Sequence, residues 1–501
     1  MARPVPRLSV PVLVAGRQQC AWLSADGEVE SLSPAQTRAR LDTATPIVCH
    51  TYLTARRLEI QSSASFDALD ILELFAFVHP ARFCVPTPAG LARALDLPKP
   101  MTPEDEALAL HQALQSLLQT LAAIPEPQAK SLAALAAAMD ARTENISYWG
   151  WTKAVCAALG HAPDSLSRDE KNAALHAWKN LPEWEDAGPR PPGTHWPVDP
   201  MEARQRLAFL TRSGKHGAED RPQQSDYASA VSAAFAPVHQ ENQTHIVLAE
   251  AGTGVGKTLG YLAPATVWAE RNSAPVWIST YTRNLQNQID GELERLYPDP
   301  AEKRRRVVVR KGRENYLCLL NLEEALRFLP SRPTMAPALG LMVRWAMHTR
   351  SGDLAGDDLP GWLPGLVGRG PTLGLSDRRG ECVHSACPHY SRCFVEHTIR
   401  QAQEADIVIA NHALVMAQAA VGDMSDLSQR LVFDEGHHVF DAADSAFSFH
   451  LSGAEAADLR RWIRGHENSG SSRARGLRRR IEGLVADDGA ATDLLDSITQ
   501  H

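Results

Sequence analysis

No run of 18 uninterrupted apolar residues occurs anywhere in this 501-residue chain, which excludes an ordinary spanning helix. The opening residues, Met-Ala-Arg-Pro-Val-Pro-Arg, lack the apolar core of a secretory leader. The expectation is a soluble, cytoplasmic protein with no membrane partner. Net positive charge is lacking too, the formal charge being -8. That deficit does not exclude a nucleic-acid partner, because a net value averages over faces of opposite field. No internal repeat stands out. Closely spaced Cys-x2-Cys knuckles are missing, although the chain has eight cysteines. In a reducing compartment a clustered cysteine set points to metal before disulfides.

With 44% apolar residues the chain can bury real cores, and its length suggests roughly three domains. Residues 1 to about 125 read as a small α/β unit. Val10 to Val14 and Pro46 to Cys49 suit strands, while Ala68 to Phe77 and Leu108 to Leu121 suit helices. From 126 to 205 the pattern turns helical and alanine-rich, ending in a stretch from Pro182 to Pro200 that holds six prolines with Trp184 and Trp196. Such a stretch is a stiff linker. Basic runs occur at Lys303-Arg304-Arg305-Arg306 with Arg310, Lys311 and Arg313, and at Arg473, Arg475, Arg478, Arg479 and Arg480. Either is a solvated face or a phosphate-binding one.

Thr244 to Ala249 is a compact β-prone run leading into Glu250-Ala251-Gly252-Thr253-Gly254-Val255-Gly256-Lys257-Thr258, after which Leu259 to Trp268 reads as helix despite Pro264. Strand, glycine-rich turn and helix form the setting of a phosphate loop. Gly252, Thr253, Gly254 and Gly256 let backbone N–H groups converge on phosphate oxygens, and the helix start adds partial positive charge. Lys257 would neutralise the outer phosphates of ATP, and the Thr258 hydroxyl would hold Mg2+. Ala251 replaces the first glycine of the strict pattern, a mild departure. Ile407 to Ala410 and Leu431 to Phe433 suit strands of a buried parallel sheet. Asp434 and Glu435 follow the second of these at its C-terminal end, where open α/β sheets bind ligands. Asp434 would hold Mg2+ through its water shell, Glu435 would orient and deprotonate an attacking water, and His437 would sense the γ-phosphate. Without the upstream loop, Asp-Glu at a strand end is a common surface pair.

Cys318, Cys382, Cys387 and Cys393 lie between the two halves of this nucleotide site. Four thiolates suit either structural zinc or an iron-sulfur cubane. The uneven x4 and x5 gaps favour the larger core, with unligated cysteines as a third possibility. Cys20, Cys49, Cys84 and Cys156 are scattered and read as buried core residues.

In this order the motifs resemble those of the DinG/XPD family of iron-sulfur superfamily 2 DNA helicases, and most of all its bacterial DinG branch. Arg221-Pro222-Gln223-Gln224 resembles the adenine-reading motif, with Gln224 the contact. Ser279-Thr280-Tyr281-Thr282 with Leu285-Gln286 resembles the segment that touches the DNA backbone. Lys311-Gly312-Arg313-Glu314-Asn315-Tyr316-Leu317-Cys318 and Ala405-Asp406-Ile407-Val408-Ile409-Ala410-Asn411-His412 resemble the borders of the cluster domain. Asp434-Glu435-Gly436-His437 stands where the family has Asp-Glu-Ala-His.

The resemblance implies an α/β fold: a P-loop, RecA-like parallel sheet (206–313 and 401–440) with an inserted helical 4Fe-4S domain (314–400), preceded by 1–125 and the 126–205 linker region. Residues 441–501 would begin a helical arch domain. It further implies a 4Fe-4S cluster on the four cysteines, ATP and Mg2+ as cofactors, and 5'-3' movement on single-stranded and forked duplex DNA in repair or replication. Thr280, Thr282, Gln286, Lys311 and Arg313 would contact DNA. The family needs a second RecA-like domain whose arginine reaches the γ-phosphate, and its loss costs about a thousandfold in turnover. These 501 residues read as an incomplete motor that binds a cluster and DNA but hydrolyses ATP poorly. Residues 50–97 faintly resemble a DnaQ-like 3'-5' exonuclease, yet the first strand offers no carboxylate for two-metal chemistry. Asp70 and Asp105 read as ordinary surface acids, and the unit as inactive. The rival reading is a non-motor redox sensor that binds nucleotide and DNA.

Overall fold

Short apolar runs near the start give two buried strands, β1 (Val12–Val14) and β2 (Cys20–Leu23), followed by a largely exposed β3 (Val29–Leu32), in the computed structural model of the chain. The structure describes residues 3–6, 8–60, 66–140, 148–184, 188, 191, 193–212, 222–237, 244–356, 358–377, 382–421, 430–448, 453–464, 477, 481, 485 and 488–500. Two compact units emerge: Met1–Asn411 with Ser425–Asp434, and His412–Met424 with Glu435–His501.

In the first unit β1 pairs antiparallel with β2, and β2 with β3, while β4 (Ile47–Val48) and β5 (Leu69–Asp70) continue the sheet in parallel. The strand order is β3-β2-β1-β4-β5. Ala68 to Phe77 is not one helix: Leu69 and Asp70 pair with Ile47 and Val48, and the helix begins at Ile71. Periodicity cannot separate the end of a buried strand from the start of a buried helix. Asp70 is not a surface acid either. It is 3% exposed, caps the helix through Leu72 N–H, and accepts from His50 N–H and from the N–H and hydroxyl of Thr51. Asp105 is exposed and completes a capping box with Thr102 at the start of helix Pro103–Ala122. That helix buries Leu110, Leu114, Leu117, Leu118 and Leu121, the spacing of a single apolar stripe, against β1 and β2.

One apolar core continues from this sheet through helix Gln128–Met139 and Trp178 into the region after Tyr316, where Leu322, Leu341, Trp345 and Val395 join it. Ranges drawn separately from sequence therefore share an interior. Arg344, 5% exposed, donates to the Phe77 carbonyl at 3.0 Å, and Trp362 donates to the Cys84 carbonyl at 2.9 Å.

The second sheet is wholly parallel, in the order β7-β8-β6-β9, from β6 (Val276–Thr280), β7 (Val307–Val309), β8 (Ile407–Asn411) and β9 (Leu431–Phe433). Helix Lys257–Asn272 packs on it through Tyr261, Leu262, Ala265, Trp268 and Ala269, with Pro264 accommodated inside. The strand expected at Thr244 to Ala249 does not form. The segment is without regular structure, and Ile246 and Leu248 are 72% and 93% exposed. A β-prone sequence becomes a strand only when an edge accepts its backbone, and here β9 ends the sheet.

The second unit contributes helices His412–Val421, Val439–Phe447, Gly453–Arg464 and Gly489–Gln500. Arg473, Arg475, Arg478, Arg479 and Arg480 lie outside the described residues, as does Arg221. Among the described residues no helix is long and apolar enough to cross a membrane.

Candidate nucleotide site and cysteine centre

Gly254 and Gly256 take φ values of +85° and +86°, a region that side chains disfavour. Gly256 is also crowded: a Cβ there would lie 2.2 Å from Gln224 Nε2. That same nitrogen donates to the Gly256 carbonyl at 2.8 Å, so Gln224, expected to read adenine, braces the loop. Gly252, Thr253 and Gly254 face solvent, and Lys257 and Thr258 are half-buried in the first turn of their helix. The open loop and the positive helix end present the arrangement that anions favour.

Asp434 follows β9, donates its N–H to the Ser279 carbonyl at 2.8 Å and is 8% exposed. It meets the loop at Tyr261. Burial first, then the Asp434 charge, push the Tyr261 phenol well above its ordinary range, and the Thr258 hydroxyl opposes the shift. The phenol oxygen is buried without a hydrogen bond of good geometry. Thr258 and Asp434 therefore both lie against the Tyr261 side chain. Among the described residues no three His, Cys, Asp or Glu side chains gather closely enough to hold one ion. In the second unit, Glu435 adopts φ +54°, costly for a residue with a side chain. His437 Nδ1 lies 3.6 Å from its carboxylate.

The residues expected on DNA are engaged within the chain. Thr280 and Gln286 are 0% and 1% exposed, and Thr282 caps helix Arg283–Leu293. Lys311 pairs with Asp353, and Arg313 with Glu396 at 3.2 Å. Arg310 is buried over the Trp277 ring. In the first basic run Lys303 pairs with Asp290 and Glu294, and Arg306 with Asp406 and Glu302.

Cys318 and Cys393 each precede a helix, Leu319–Arg327 and Phe394–Glu404. Burial pushes the Cys318 thiol up to about 11. Backbone N–H groups of Asn321 and Leu320 pull it down, and the nearby Asp377 and Cys393 charges push it up. Burial likewise raises Cys393 against the N–H groups of Glu396 and Val395 and the charge of Arg313. Cys382 Sγ accepts from Arg313 at 3.4 Å and from His384 N–H at 3.3 Å. Amides and a guanidinium aimed at sulfur suit thiolates, but Cys318, Cys382, Cys387 and Cys393 do not gather into a group that could hold a metal in this structure.

Sequence reasoning missed Tyr261 and the partners of the cysteine loop, which lie far off in the chain. Trp178, just before the proline-rich stretch, and Trp184 within it were the available signal.

No family model matches the chain. Over 255 residues, 48% of this chain, it is 31% identical to the ATP-dependent DNA helicase YoaA of Haemophilus influenzae, covering 37% of that protein. Over 260 residues it is 36% identical to the ATP-dependent helicase DinG of Mycobacterium tuberculosis, again 48% of this chain and 37% of the relative. A 31% match over 232 residues covers 23% of the 3'-5' exonuclease DinG of Bacillus subtilis. The chain thus spans little more than a third of the first two relatives.

Proposed function

From the premise that about half of this chain is homologous to ATP-dependent helicases named DinG and YoaA, we propose that it is the nucleotide-binding part of a cytoplasmic, ATP-driven DNA helicase of that type. The observation that carries this reading is the glycine loop, with Gly254 and Gly256 in the left-handed region, opening onto the start of helix Lys257–Asn272, and Asp434 just beyond the end of β9. In it, Lys257 and the loop amides bind the phosphates of ATP, and Glu435 orients the attacking water with His437 beside it. Thr258 and Asp434 would hold Mg2+, which supplies neutralising charge to the phosphates. Arg221 and Gln224 would read adenine.

The DNA partner is single-stranded and forked duplex DNA, with 5'-3' movement in repair or replication. For Lys311 and Arg313 to grip phosphate they must exchange Asp353 and Glu396 for it. Such an exchange would take these cations from the buried carboxylates of Asp353 and Glu396, which would then need other partners. Cys318, Cys382, Cys387 and Cys393 would hold a 4Fe-4S cluster, which supplies a rigid inorganic cross-link when bound.

Titration of a fluorescent ATP analogue with and without Mg2+ tests the site. Lys257→Ala is expected to weaken binding about 10- to 100-fold, the scale of a lost charge-assisted hydrogen bond, and Asp434→Asn to abolish the dependence on Mg2+. Wild-type affinity in Lys257→Ala overturns the reading.

A further inference from the structure

Between Pro388 and Cys393 every residue of the cysteine loop is held by one distant stretch of chain. The buried Trp178 ring stands edge-on to His389, with centroids 5.0 Å apart. Glu323 bridges the two stretches, accepting from Lys179 at 2.8 Å and lying 2.8 Å from His389 Nε2. Arg392 donates to the Leu181 carbonyl at 2.9 Å and pairs with Glu183. Trp184 N–H donates to the Ser391 carbonyl at 3.0 Å, and its ring meets Tyr390 edge-on. The Arg400 guanidinium lies 3.8 Å over the Trp184 ring.

The loop itself consists of short 3-10 turns at His384–Ala386 and Tyr390–Arg392. Such turns have poor hydrogen-bond geometry and seldom hold their shape alone. Trp178 belongs to the core that begins at β1. The clamp is therefore fixed to the N-terminal sheet, whose first strand is wholly apolar and whose Asp70 carboxylate is occupied by four donors.

We propose that the stretch 178–184 is a clasp that positions Cys387 and Cys393, and that the N-terminal region serves as keeper of the cysteine centre rather than as a nuclease. The consequence for cluster retention rests on the assignment of the four cysteines as ligands. The clasp itself does not.

Two measurements on the whole chain separate these. The first is iron per chain, with the decay of visible absorbance under chelator. The second is the alkylation rate of each cysteine in iron-free protein, followed by mass spectrometry. Trp184→Ala and Arg392→Ala, both at half-buried positions, are expected to speed alkylation of Cys387 and Cys393 and loss of absorbance roughly tenfold, the scale of one lost cation–π or ion-pair contact. Trp184→Phe restores the ring and is expected to restore both rates. Cys156, 0% exposed, must stay protected in the variant used; should Trp184→Ala expose it, Arg392→Ala decides. Unchanged alkylation of Cys387 and Cys393 in a folded variant overturns the clasp. Absence of iron from the wild type defeats the ligand assignment and leaves the alkylation result to judge the clasp.

Discussion

The phosphate loop and the cysteine loop are both short irregular stretches ahead of a helix, yet they are held in opposite ways. Gly252 to Gly254 stand open to solvent at the tip of the phosphate loop, which Gln224 braces at Gly256. Cys387 to Cys393 is gripped by residues more than 200 positions away, as in the bond from Arg392 to Leu181. A loop that must admit and release a nucleotide gains from few internal partners, whereas a loop that must present thiols at fixed positions gains from many. The two sheets do not differ in this way: each ends in a part-exposed strand, Val29 of β3 and Leu431 of β9 both being 36% exposed.

Three changes would break or sharpen that comparison. Trp178→Ala removes a fully buried indole from beneath the cysteine loop and is expected to cost about 3–5 kcal/mol in denaturant unfolding. A loss below about 1 kcal/mol would mean that the enclosed half is as loose as the open one. Glu73→Gln probes the same core by pH. Burial, then the Asp70 charge, push the Glu73 carboxyl up to about 8, against a hydrogen bond from Trp149. Below the ordinary carboxyl range both states hold the proton. Between about pH 4.5 and pH 8 the folded state holds a proton that the unfolded state has lost, so stability falls as pH rises through that window. Glu73→Gln is expected to flatten this slope and to raise the melting temperature most above pH 8. A wild-type melting temperature that climbs from pH 5 to pH 8 while Glu73→Gln follows it contradicts the assignment. The smallest effect is expected at the open half, where Leu248→Ser should change stability by no more than about 0.5 kcal/mol. A change several times larger would show that this segment packs in the folded protein.

Particular residues show how far the sequence could be read. The glycines of the phosphate loop, Lys257 at a helix start and Asp434 at a strand end were legible because each constraint is local: a left-handed backbone, a helix terminus, a strand that stops. The positions of β1, β4 and β8 followed from short apolar runs. Leu69 and Asp70 were misread as helix because only the neighbouring strand Ile47–Val48 makes them a strand. Thr244 to Ala249 has strand composition and no edge to join. Asp70 looked like an isolated acid because its donors at His50 and Thr51 come from another turn of the fold.

By itself the sequence determined the order of the motifs, the phosphate loop with its helix, and the thiol set lying between the two halves of the nucleotide site. Each follows from residue identity and short-range backbone geometry. Tertiary structure alone decided that Thr258 and Asp434 meet at Tyr261, that Lys303, Arg306, Lys311 and Arg313 beside the second sheet are paired, and that Trp178 to Trp184 lies along the cysteine loop. Those outcomes depend on burial and on contacts between distant segments, where desolvation selects partners that no local pattern names.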